Sequence, residues 1–206
     1  MAIEIDVKKT ALLSMDFQND IIHPDAALAK AAGFAKMVQE TGILPRSAKV
    51  LDAARKAGMK VIHVLVEFPK DMPVKFPTRG AFFRMLGAGG PTLVPGTWGA
   101  QIHDAVAPKP GDEVVKKAMI SAFVGSKLKE VLDRNGITDI AIIGVATTFV
   151  VEGTTWSAVD LGYNVIVIED CVCAGSKEAH EAAIQTSLTY LTDLCKADEF
   201  IAAIQK

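Results

Sequence analysis

No apolar run in this 206-residue sequence is long enough to cross a membrane. The most apolar stretch, "IAIIGVATTFVV", is shorter than the ~18 residues a spanning helix requires, and Gly and Thr interrupt it. Basic clusters are missing too. Lys116-Lys117 is only a pair, and a net charge of -2 leaves no electrostatic case for nucleic acid. Cysteine is scarce. Cys171 and Cys173 are too close for ordinary bridging and lack zinc-type spacing, so with Cys195 they read as reduced, packed thiols. The opening "MAIEIDVKK" lacks the basic region and apolar core of a signal peptide. No internal repeat or low-complexity tract is present. These absences predict a soluble cytoplasmic protein with no nucleic-acid or membrane partner.

What is present is apolar and ordered. Half the residues are hydrophobic, enough for a sizeable core, and the length fits one α/β domain over 1–206. Short apolar runs predict strands at "TALLSMDF", "KVIHVLVE", "DEVVKK", "DIAIIG" and "NVIVIED". Between them, helical spacing covers Ile43 to Lys60, Ser126 to Gly136, about Thr148 to Leu161, and Ser176 to Leu191. "DEFIAAI" near the end reads as a short strand or helix. The alternation predicts a three-layer α/β/α, Rossmann-like fold with a mainly parallel sheet of about six strands.

In such sheets the ligand crevice lies beyond the carboxyl ends of the strands, where strand order reverses. That rule selects Asp16 and Phe17, Glu67, Lys117, and the stretch Gly144 to Val151. The Pro- and Gly-rich segment 68–101 breaks the alternation, and its Phe82, Phe83 and Trp98 argue against disorder. It reads as a cover over the site, supplying Arg79, Phe83, Arg84 or Trp98. Taken singly, Asp16 is as readily a turn former and Lys117 a solvated strand end. Together they make a mutually tuned acid and base. Alternation sends Lys116 and Lys117 to opposite faces. A helix starting near Thr148 offers backbone N–H groups to a developing oxyanion.

Four motifs in order resemble the isochorismatase-like, or cysteine hydrolase, superfamily. "ALLSMDFQND" is similar to the family's "ALLVIDMQND", and "VVKKAMISAFVGSKL" to "K-x-x-x-SAF-x-x-T-x-L". "VPGTWGAQI" resembles "PGTWGAEI", and "GVATTFVVEGTTWSAVDLGYNVIVIEDC" resembles "GVATNYCVESTARDALDLGYxVxVVxDA". The resemblance implies a catalytic aspartate at Asp16, a catalytic lysine at Lys117, and a non-proline cis peptide at Val145-Ala146. It implies that the N–H groups of Ala146 and Val150 face the pocket, and Phe149, beside Val150 in that turn, is a candidate substrate contact. It also implies that homo-oligomers are common.

The departure falls on the nucleophile. Aligned without a gap, the family cysteine is Val150, which has no nucleophilic atom, so the thioester route is closed. The metal pattern of the nicotinamidase branch is missing, because "VEFPKDMPVKFP" contains no His. His63 and His23 read as packing or surface residues, so neither metal nor cofactor is expected. Three functions remain. The first is a cysteine-less hydrolase using Asp16 and Lys117 on a small amide, urea or vinyl ether. The second is an amidohydrolase whose cysteine has been replaced, naturally or by engineering. The third is a binding protein that keeps the pocket without the chemistry. An aromatic cover with arginines suggests a small substrate that is planar or carries a carboxylate.

Overall fold

The computed structural model describes residues 3–69, 77–88 and 90–205. The chain opens with strand β1 (Thr10–Met15), then short helices α1 (Asn19–Ile22), α2 (Ala27–Ala31) and α3 (Phe34–Thr41), and the long α4 (Ile43–Lys56). Strand β2 (Lys60–Val66), helix α5 (Ala81–Ala88), strand β3 (Glu113–Lys117) and helix α6 (Leu128–Arg134) follow. Strand β4 (Asp139–Val145) leads through a π-helical turn, Thr147–Val151, into α7 (Glu152–Asp160). The chain ends with β5 (Asn164–Cys173), α8 (Lys177–Ala183), a second π turn, α9 (Thr189–Leu191), β6 (Asp193–Cys195) and α10 (Ala197–Ile204).

All six strands are parallel, in the order β3-β2-β1-β4-β5-β6. The central strands are apolar at nearly every position because both sheet faces are covered. Leu12, Val61 and Ile143 pack with Leu51 of α4 and Phe200 of α10 on one side. Leu13, Ile62 and Ile142 pack with Leu132 of α6 and Ala158 of α7 on the other. Burying each such Leu or Ile contributes roughly 1.5–3 kcal/mol. The result is the expected α/β/α sandwich. Among the described residues no helix is long and apolar enough to span a membrane.

Of the two alternatives for "DEFIAAI" the chain adopts helix, and the sixth strand is Asp193–Cys195. Phe200 and Ile204 stand four residues apart and reach the same core, while the Glu199 carboxylate accepts the Lys196 N–H at 2.7 Å. Ser176 does cap its helix, accepting the Ala179 N–H at 3.2 Å, but Ile184–Leu188 adopts a π turn rather than a continuous α-helix. The segment before α4 folds into three short helices that have no counterpart in the periodicity.

Gly144 faces Met15 where β1 and β4 run side by side. Its φ is 149°, and a Cβ there would sit 2.3 Å from the Met15 carbonyl oxygen. That backbone region is essentially restricted to glycine. Gly144→Ala is therefore expected to cost at least about 2 kcal/mol, lowering the melting temperature by at least about 4 °C in a calorimetric scan. An unchanged melting temperature would contradict this.

Candidate active site

Strand order reverses between β1 and β4: the chain leaves β1 toward β2 and β3 on one side, and β4 leads to β5 and β6 on the other. Asp16 follows the last residue of β1 at this switch point. Its φ of 56° turns the chain sharply, and its N–H donates to the Val64 carbonyl at 2.9 Å. Asp is among the few residues that enter this left-handed region at modest cost. Lys117 ends β3, beside Val66 of β2. Its Nζ lies 2.9 Å from Asp16 Oδ2 and donates to the carbonyls of Met119 (2.9 Å) and Ile120 (3.0 Å). Both residues are buried. Lys116 faces the other way and pairs with Glu67 at the surface, as strand alternation demands.

The buried pair leaves one atom over. Asp16 Oδ1 is buried and has no hydrogen-bond partner. Burial raises the Asp16 carboxyl above its ordinary value, and the Lys117 ammonium offsets this only in part. Asp16 is thus a carboxyl that holds its proton more tightly than a surface aspartate does.

The turn after β4 forms another part of the wall. Val145-Ala146 is cis. The Phe149 and Val151 N–H groups both donate to the Ala146 carbonyl, at 3.1 and 3.2 Å. Val150 lies between them, only 1% exposed, with its side chain in the pocket wall. Behind the turn, Thr147 Oγ1 lies 3.0 Å from His180 Nδ1. No cysteine lines the pocket, and burial pushes all three thiols up to about 12. The native protein is therefore expected to resist alkylation by iodoacetamide near neutral pH. Val150→Cys should gain one fast-reacting thiol, because helix-start amides and Lys117 favour a thiolate there. Equal labelling of the two proteins by mass spectrometry would count against this geometry.

The cover contributes Phe82, Phe83 and Leu86 from α5, with Leu93 beyond it. The Phe82 ring meets that of Phe149 at 4.8 Å between centroids, joining cover to turn. Leu28 and Phe34 close the remaining side. Sequence reasoning found Phe83 and Phe149 but missed Phe82, Leu86, Leu28 and Phe34. The i, i+4 spacing of Phe82 and Leu86 is the one cue that could have found the first two.

Four anticipated substrate contacts lie elsewhere among the described residues. Phe17 points into the core and is 1% exposed. Trp98 is 50% exposed and packs edge-on against His23 at 4.9 Å. Arg79 is exposed, ahead of α5. Arg84 is exposed because it stands two residues after Phe82, about 200° around the helix from it. Part of the cover, residues 70–76 and 89, falls outside the described residues. His63 is buried on β2 with Nε2 3.1 Å from Asp112 Oδ2, away from the pocket. Among the described residues no group of three or more His, Cys, Asp or Glu side chains is placed to hold a metal.

Fold and site together define an α/β protein with a largely apolar pocket, holding a buried acid and lysine, at its topological switch point. Residues 10–199 match the isochorismatase domain, and the chain belongs to the isochorismatase family. It is 32% identical over 180 residues to a protein of Arabidopsis thaliana described as a probable inactive nicotinamidase, covering 86% of this chain and 87% of that protein. It is 29% identical over 178 residues to the ureidoacrylate amidohydrolase RutB of Rhizobium rhizogenes, covering 82% and 72%. An isochorismatase family protein from Desulfovibrio vulgaris superposes with a TM-score of 0.81 at 26% identity, covering 96% of this chain and 99% of that one.

Proposed function

We propose that this isochorismatase-family protein is a hydrolase that works without a cysteine, through Asp16 and Lys117. The observation that carries the reading is the buried, unpartnered Oδ1 of Asp16 in the pocket wall. Lys117 holds Oδ2 and leaves Oδ1 for the substrate. A carboxyl that holds its proton more tightly than an ordinary aspartate suits general acid catalysis. On a vinyl ether, the Asp16 proton goes to the terminal vinyl carbon. Water adds to the resulting oxocarbenium carbon and returns a proton to Asp16, and the hemiketal breaks into a carbonyl compound and an alcohol. On an amide or urea, Asp16 instead accepts a proton from the attacking water and passes it to the leaving nitrogen. In that case the N–H groups of Ala146 and Val150 would hold the oxyanion.

A panel of small vinyl ethers, amides and ureas tests the proposal. Turnover of at least one, lost in Asp16→Asn, is expected. Tight binding of panel members with no Asp16-dependent turnover would sink it. That outcome is the prediction of a second reading, a binding protein that has lost its chemistry. The second reading draws on Val150 at the nucleophile position and on the relative described as inactive. Amide hydrolysis gained only by Val150→Cys would point instead to a replaced nucleophile.

A further inference from the structure

We infer that the pocket takes a neutral, largely apolar small molecule: a ring or short hydrocarbon body bearing one polar group and no carboxylate. The inference borrows from the hydrolase reading only in calling that molecule a substrate. As a statement of what binds, it stands on the pocket.

Among the described residues, every lining side chain except Asp16 and Lys117 is apolar. Lys117 is the one cation in that lining, and it is committed. Its ammonium has three N–H groups, and it has three partners in Asp16 Oδ2, the Met119 carbonyl and the Ile120 carbonyl. A ligand carboxylate entering here would meet the Asp16 carboxyl with no donor left over on the lysine. The arginines that could have changed this stand outside: Arg79 and Arg84 are exposed, and Arg46 is bonded to the Asp170 carbonyl on another part of the molecule. An anion here would meet backbone N–H groups alone, with no free cation among the described lining residues, and a charge stripped of water without a counter-charge is strongly disfavoured.

The polar part of the wall is small: Asp16 Oδ1 and the turn at Ala146 and Val150 stand among apolar side chains that include Phe82, Phe83, Leu86 and Phe149. A ligand matching that layout presents its amide, urea or ether group to Asp16 and its hydrocarbon body to the phenylalanines.

Isothermal titration calorimetry with matched probes tests this on wild type and Asp16→Asn. The pairs are benzamide against 4-carbamoylbenzoate, and phenylurea against 4-ureidobenzoate. The neutral member of at least one pair is expected to bind at least about tenfold more tightly than its carboxylate. Phe83→Arg, at a half-buried position on the cover, should narrow or reverse that preference. Equal or tighter binding of the carboxylates by wild type overturns the inference, and so does failure of both neutral probes to bind. Turnover is not read. A protein that binds neutral probes but hydrolyses nothing would therefore defeat the hydrolase reading while leaving this one intact.

Discussion

Asp16→Asn is expected to lower kcat by about 10²–10⁴-fold on any substrate the protein hydrolyses, the range typical of a lost general acid or base. Binding should change little. Asparagine keeps the side-chain shape, and its amide oxygen can still accept from Lys117, but it has no proton to give and no carboxylate to take one. The pH profile separates this from structural damage. Burial holds the Asp16 carboxyl above its ordinary 3.8. If Asp16 acts as an acid, kcat is flat below that raised value and falls as pH climbs through it. If it acts as a base, the limb is inverted. Either way, the residual activity of the variant should lose that limb. A profile measured from about pH 4 to 9 that keeps the same limb in Asp16→Asn would show that another group is titrating.

The parts of this site legible in the sequence were those fixed by regular structure. Asp16 ends an apolar run, so its position at a strand terminus follows from the pattern, and the switch-point rule makes it a crevice residue. A strand's period of two put Lys116 and Lys117 on opposite faces, and the family motif marked Lys117 as the one at the site. The turn after β4 was recognisable from "GVATTFVVEG", although its first five residues wind as a π turn rather than an α-helix. The cover was legible only as a segment. Its Pro and Gly residues remove any long period, so the inward face of α5 was marked only by the single i, i+4 pair Phe82 and Leu86. The arginines looked chemically apt and lie outside, while Phe82 and Leu86, which were not chosen as contacts, line the pocket. Trp98 misled in the same way, since a large aromatic in a loop can as well rest on the surface against His23. Strand β6, at three residues, is too short to show alternation.

Lys117→Met should destabilise the fold by about 3 kcal/mol near neutral pH, the lower end of what breaking a buried ion pair costs. Methionine replaces the bulk of the lysine stem, so little of this comes from a cavity. The loss arises from an Asp16 carboxyl left without its opposite charge and from two carbonyls, Met119 and Ile120, left without their donor. The cost stays at the lower end because Asp16 can take up a proton. Burial already raises that carboxyl, and Lys117 supplies both effects that oppose the rise, so removing Lys117 drives it higher. For an acid whose value is raised on folding, stability is fully present below the unfolded value and is lost as pH rises through the folded one. Wild type stops losing stability from Asp16 at its own folded value, whereas the variant goes on losing it up to a higher one. The deficit should therefore be smaller in acid and widen as pH increases between those two values. Thermal melts should show a fall of roughly 6–12 °C near neutral pH and a smaller one toward the acid end of the series. Adding Asp16→Asn should recover part of the loss, because the amide needs no counter-charge. A deficit that is the same at every pH, or an Asp16→Asn/Lys117→Met protein with the full sum of both single losses, would mean that the two side chains are not coupled across the floor of this pocket.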